Sequence, residues 1–200
     1  MFHVLHPNVG FEAPSRDPIL AARYRGRLDH LGGVIISYLS PLLAIFVGIV
    51  HAALAPVIVV GGVKPNLVLV AVVLVTLLVG VLPGIVWAFT AGLTANLLVG
   101  APLGSIPLEM LLVAVLVAGG ARLLGRVGWV YPVVATFACS ILVDLLSLGI
   151  AQLVTDAAPS SIPFDIILPA AVLNATIAAL LLYPSRLVAR RYVAEEAPAW

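Results

Sequence analysis

The chain has 200 residues, of which 62% are hydrophobic and only 10% charged, and its formal net charge is +1. Soluble domains carry roughly 25% charged and 45–50% apolar residues, so this balance excludes a soluble enzyme, a disordered chain and a nucleic-acid binder and leaves a polytopic membrane protein. The net charge says nothing about partners, and the one cysteine, Cys139, sits in an apolar run, cannot close an internal disulfide and belongs to no metal-ligand spacing.

Residues 1–33 carry Arg16, Arg23, Arg25 and Arg27 ahead of the first apolar run. They lack the early apolar core of a cleavable signal peptide, so the first spanning helix itself is expected to direct insertion. Asp17 suits a helix cap and Pro18 a first turn. Leu20, Tyr24, Leu28 and Leu31 then recur at helical spacing. Two readings stay open: an amphipathic helix on the anionic inner leaflet, and a solvated leader into the first span.

Six apolar runs follow, at 34–60, 66–82, 84–99, 103–121, 129–154 and 166–188. Each is about long enough to cross a hydrocarbon core of about 30 Å. They are separated by Gly61-Gly62-Val63-Lys64-Pro65, by Leu82-Pro83-Gly84, by Gly100-Ala101-Pro102, and by a polar stretch containing Pro159 and Pro163. Joined, the second and third runs would make a helix of roughly 50 Å, too long for the bilayer. Charge separates them. With six spans, Arg16, Arg23, Arg25, Arg27, Arg122, Arg126, Arg186, Arg190 and Arg191 share one side and Lys64 alone takes the other, nine against one. With five spans the division is four against six. The excess of basic residues on the cytoplasmic side therefore selects an all-α bundle of six transmembrane helices with both termini cytoplasmic. The expected organisation is a cytoplasmic N-terminal segment (1–33), a six-helix membrane domain (34–190) and a cytoplasmic tail (191–200). Trp129, Tyr131 and Tyr183 fall near cytoplasmic span ends, where interfacial aromatics belong.

Lipid tails give no hydrophobic drive for helices to associate, so small residues spaced by four mark close contacts. The third run carries Gly84, Ala88, Gly92, Asn96 and Gly100; the first carries Ala44, Gly48 and Ala52; the sixth carries Ala170, Asn174, Ala178 and Ala171, Ala175, Ala179. The third-run row reads as a packing ridge, and Gly92→Leu is expected to lower assembly and stability. Pro41 and Pro56 are expected to bend the first span.

Polar residues inside a membrane need partners. The candidates are His51, Asn96, Glu109, Asp144, Gln152 and Asn174. Under the six-span topology His51, Asn96, Glu109, Asp144 and Asn174 lie about three to ten residues from the outer span ends, in the outer half of the bilayer at 1.5 Å per residue. Either they line a cavity, groove or partner surface open to the outside, or they hydrogen-bond between helices. Asp144 lies far from the interface. It is expected to be protonated or paired, with His51 as its basic partner at comparable depth, and Asp144→Ala is expected to reduce folding or function. Catalytic signatures do not assemble. No second aspartate matches Asp144 in depth for an aspartyl protease, Ser105 lacks a G-x-S-x-G setting, and there is no G-x-x-x-x-G-K-[ST] loop.

From Lys64 to Arg126 the chain reads K-P-N-L-V-L-V, a turn, G-L-T-A-N-L-L-V-G-A-P-L-G, and an apolar helix ending G-A-R-L-L-G-R. This resembles MreD, the bacterial rod shape-determining family, which shows P-D-L opening a helix, then G-x-x-x-D-x-x-x-G-x-P-L-G and a basic helix end. Asn174, Tyr183 and Pro184 followed by arginines add to a likeness spanning residues 34–192. The family's usual aspartates fall at Asn66 and Asn96, amides that keep hydrogen bonding and lose charge, and the N-terminal segment is longer than usual. The resemblance implies a non-catalytic inner-membrane scaffold of the cell-elongation machinery, without cofactor or metal. Such a scaffold binds the single-span protein MreC and helps organise peptidoglycan synthesis and rod shape beside RodA, a class B penicillin-binding protein and MreB. It also implies a fold similar to the S components of energy-coupling-factor transporters. On this reading Gly92, Asn96, Gly100, Pro102, Leu103 and Gly104 form the partner-binding motif. The competing reading is a small-molecule uptake subunit of the S type. It would use His51, Glu109, Asp144 and Asn174 as a ligand pocket, and a retained vitamin would favour it.

Overall fold

The computed structural model describes residues 39–54, 57, 59, 62–124, 128–155 and 163–196. The expected N-terminal helix and the bend at Pro56 lie outside them. The described residues form six α-helices: α1 (Leu39–Leu54), α2 (Leu67–Leu78), α3 (Val81–Val99), α4 (Ser105–Leu124), α5 (Val130–Thr155) and α6 (Phe164–Glu196). Four of them, α3 to α6, are long and apolar enough to cross a membrane, and α1 and α2 are shorter.

The second and third apolar runs are two helices, as charge required, but their turn is not at Pro83-Gly84. It lies at Val79-Gly80, and Gly80 takes φ +133°. Pro83 is the third residue of α3, where its missing N–H costs no intrahelical bond. Pro107 and Pro132 hold the same third position in α4 and α5. Local sequence thus starts three helices with proline; Pro41 is the third described residue of α1, and Pro169 and Pro184 fall inside α6.

The contacts fix how neighbouring helices run. On α1, Ser40 Oγ accepts from Trp87 Nε1 of α3 at 2.8 Å. Two turns further along α1, a Cβ on Gly48 would stand 2.8 Å from the Ala91 carbonyl oxygen and from Thr94 Cβ. Both helices advance together, so α1 and α3 are parallel. Asn66 meets Asn174, while Val70 and Leu74 cluster with Ala178 and Leu182, so α2 and α6 are parallel too. Gly92 against Pro107, with Asn96 further on against Gly104, makes α3 and α4 antiparallel. Tyr131 against Val117, with Ser147 against Glu109, does the same for α4 and α5. Direction alternates through all six helices, and the start of α1 and the end of α6 share one end of the bundle.

At the centre lies α2, which touches α3, α4, α5 and α6. Val68, Leu69, Val70, Val72 and Val73 are all fully buried, a helix apolar on every side and covered on every side. Twelve residues give it about 18 Å, against about 30 Å of hydrocarbon. Its N-cap Asn66 meets Asn174, ten residues into α6, so α2 begins about 15 Å inside the start of its parallel neighbour. The outer helices turn leucine and phenylalanine outward: Leu42, Phe46 and Ile49 on α1, Phe89 and Leu97 on α3, Leu116 on α4 and Leu180 on α6 are exposed. That is the surface a lipid solvent requires.

Small residues sit where helices touch. Gly84, Ala88, Gly92 and Asn96 are buried along α3, and Gly100 ends the row as an exposed left-handed cap. A Cβ on Gly84 would collide with the Thr76 side chain and stand 2.9 Å from Thr76 Cα. This contact closes the α2–α3 hairpin.

Candidate functional site

The motif residues form one built unit at the α3–α4 turn. Asn96 is 1% exposed and its side chain holds three backbone groups of the loop that follows. Its Nδ2 donates to the carbonyls of Ala101 (3.0 Å) and Pro102 (3.2 Å), and its Oδ1 accepts from the Gly104 N–H at 2.8 Å. The backbone must turn back within reach of one side chain, and this needs left-handed residues at both ends: Gly100 at φ +73° and Gly104 at φ +87°. Ser105 Oγ and N–H both return to the Pro102 carbonyl, at 2.9 and 3.1 Å. Leu103 therefore stands at the tip of an anchored loop with 84% of its surface exposed. Gly92 lies one turn below Asn96, pressed on the Pro107 backbone, and sets how closely α3 and α4 approach. Of the motif, Gly92 and Asn96 are internal, while Gly100, Pro102, Leu103 and Gly104 face outward.

The four remaining polar residues fall into separate groups. Glu109 is 4% exposed and its Oε1 accepts from Ser147 Oγ of α5 at 2.8 Å. Asp144 lies one turn before Ser147 on the same helix. Asn174 joins three helices: its Oδ1 accepts from the Asn66 N–H at 2.7 Å, and its Nδ2 donates to Ser140 Oγ at 2.8 Å. Asn66 in turn caps α2 by accepting from the Leu69 N–H at 3.1 Å. His51 stands on α1. His51 Nδ1 and Asp144 Oδ2 are buried without a hydrogen-bond partner among the described residues, so the pairing suggested by their depth is not made through these atoms.

Sequence reading overlooked the hydroxyl partners. Ser140, Asp144 and Ser147 recur at i, i+4 and i+7 on α5, a polar stripe facing Glu109 and Asn174. That spacing was the available signal. It also changes the expectation for Asp144. A buried carboxyl oxygen without a partner costs free energy, so Asp144→Leu is expected to unfold in detergent within about 1 kcal/mol of wild type or above it. A clearly lower thermal midpoint would show that the carboxyl holds a partner. Ser147→Ala should destabilise by comparison, since it leaves the Glu109 oxygen bare.

Among the described residues no group of three or more His, Cys, Asp or Glu is placed to hold a metal ion. No curated protein and no solved structure matches the chain. The family model described as rod shape-determining protein MreD matches residues 33–191, which takes in all six helices up to the penultimate turns of α6. The glycine–asparagine–glycine turn and the capped, buried α2 both fall inside that match, and the chain belongs to the MreD family, whose role is in rod shape determination.

Proposed function

We propose that this chain is a non-catalytic scaffold of the bacterial inner membrane that binds MreC and helps organise peptidoglycan synthesis within the cell-elongation machinery. Under this reading all six helices cross or enter the bilayer with both termini cytoplasmic. The alternating helix directions and the nine-to-one division of basic residues support that topology. It sets the α3–α4 loop at the periplasmic face, where a single-span partner begins its periplasmic part. RodA, the class B penicillin-binding protein and MreB would then be reached through the assembled complex.

The observation that carries the proposal is the loop itself. Asn96 makes three side-chain hydrogen bonds, all to loop backbone, and leaves Leu103 presented, 84% exposed, on an anchored turn. A preorganised apolar tip is what an interface anchor requires, because little ordering entropy remains to be lost on binding.

Co-purification with MreC tests this. Leu103→Asp is expected to reduce recovered MreC about tenfold or more, the loss of about 1.4 kcal/mol or more that truncation of an interface anchor brings. Leu123→Asp, at an equally exposed leucine of the opposite end, is expected to leave recovery unchanged. Equal recovery of MreC with both variants would overturn the reading. A vitamin retained through purification would instead favour an uptake subunit.

A further inference from the structure

The end of the bundle opposite the Asn96 loop carries an organised cationic corner. Arg186 of α6 lies with its guanidinium carbon 4.3 Å from the centre of the Trp129 ring, and its Nη2 donates to the Gly128 carbonyl at 3.3 Å. These contacts use only one of the five N–H donors of the guanidinium. Trp129 is itself 55% exposed, just before α5. The first turn of α5 is held against α4 by Tyr131, whose hydroxyl donates to the Val117 carbonyl at 2.8 Å and occupies the space a Cβ on Gly120 would need. Exposed Arg122, in the last turn of α4, therefore stands at the same end as Trp129 and Arg186. Exposed Tyr183 lies one turn before Arg186, and Arg190 and Arg191 follow it in the sequence. Among the described residues no acidic side chain is seen to pair with Arg186; Glu109, Asp144 and Asp165 belong to the other half of their helices, and Glu195 and Glu196 follow Arg186 in α6 by more than two turns.

We propose that this corner is a binding surface for the phosphate-bearing headgroups of anionic phospholipids. Helix ends mark the level of a membrane surface, and tryptophan with tyrosine seats at that level. A guanidinium held over an indole keeps its remaining donors free, and phosphate oxygens match their fork geometry. Arg122 adds a second positive charge for the net negative charge that separates phosphatidylglycerol from phosphatidylcholine. The surface does not depend on what the Asn96 loop binds, so each assignment stands or falls alone.

The test uses the full chain in mixed nanodiscs of phosphatidylglycerol and phosphatidylcholine, with the lipids retained after extraction counted by native mass spectrometry. Wild type is expected to enrich phosphatidylglycerol, and Arg186→Gln to cut the enrichment about fivefold, the effect of one basic side chain near an anionic surface. Arg186→Lys is expected to retain charge attraction but lose part of the enrichment, since a point charge cannot reproduce the fork. Arg122→Gln touches no internal contact and is expected to act in the same direction, so it decides the matter should Arg186→Gln fail to fold. Lys64→Gln, at the other end, should change nothing. Enrichment that is absent in wild type, or unchanged in Arg122→Gln, overturns the proposal. Loss of enrichment in millimolar inorganic phosphate also overturns it, because the corner would then be a site for free phosphate.

Discussion

Gly92→Ala is expected to destabilise the bundle, and Gly119→Ala to leave it unchanged or strengthen it, although both replace a helical glycine with the best helix former. The difference lies in what the added carbon meets. At Gly92 it would stand 2.9 Å from Pro107 Cα and 3.2 Å from Pro107 N, both backbone atoms of a neighbouring helix. Neither can swing aside as a side chain can. Parting α3 from α4 costs about 1–3 kcal/mol, against a gain in intrinsic helix propensity of about 1 kcal/mol. At Gly119 nothing lies within 4 Å, so only the gain remains. Gly92→Leu should go further and prevent the two helices from seating. Thermal or denaturant unfolding in detergent reads all three variants. Equal midpoints for the two alanine variants would show that the α3–α4 contact yields without cost.

Asn96→Leu is expected to lose about 2 kcal/mol, three interhelical-type hydrogen bonds at about 0.6 kcal/mol each. Protection of the Gly104 amide from hydrogen exchange should fall with it. Asn96→Asp is the more informative variant. Its carboxylate keeps an acceptor for the Gly104 N–H but turns an oxygen toward the carbonyl oxygens of Ala101 and Pro102, where the amide places two donated hydrogens. Acceptor facing acceptor is repulsive, so Asn96→Asp should approach Asn96→Leu in stability. An aspartate variant as stable as wild type would mean that the loop does not depend on the two donated bonds. The amide at this position, where the MreD pattern has an acid, is thus matched to this turn.

Much of this architecture was legible because membranes restrict the alternatives. Runs of apolar residues interrupted by Gly, Pro and charge gave six helices, and the asymmetry of arginine separated α2 from α3. Small residues at four-residue spacing located Gly48, Gly84 and Gly92, where an added Cβ would press on the backbone of a neighbouring helix. The turn after α2 was misplaced by a few residues because Pro83 looked like a breaker, whereas proline in a first helical turn starts a helix. The central place of α2 was not legible. Lipid and protein interior are equally apolar, so a valine-rich helix reads alike in either. The polar residues were found but not their grouping. Asn174, Glu109 and Asn96 share depth in the sequence, yet each answers to a different neighbour, and the serines that receive two of them look ordinary in isolation.

The short central helix has a consequence for biogenesis. Synthesis delivers α2 before α3, α4, α5 and α6, the helices that enclose it. Until they arrive, its 18 Å of apolar surface faces a film of about 30 Å, and its capped start has no Asn174 to receive it. The nascent chain must therefore hold α2 and α3 as a hairpin, at the lipid boundary or against the insertion machinery, and commit them to depth only when the C-terminal pair closes over them. Truncation before α6 should leave a product that inserts but is cleared by membrane proteases, and α6 is then the checkpoint for enclosing α2.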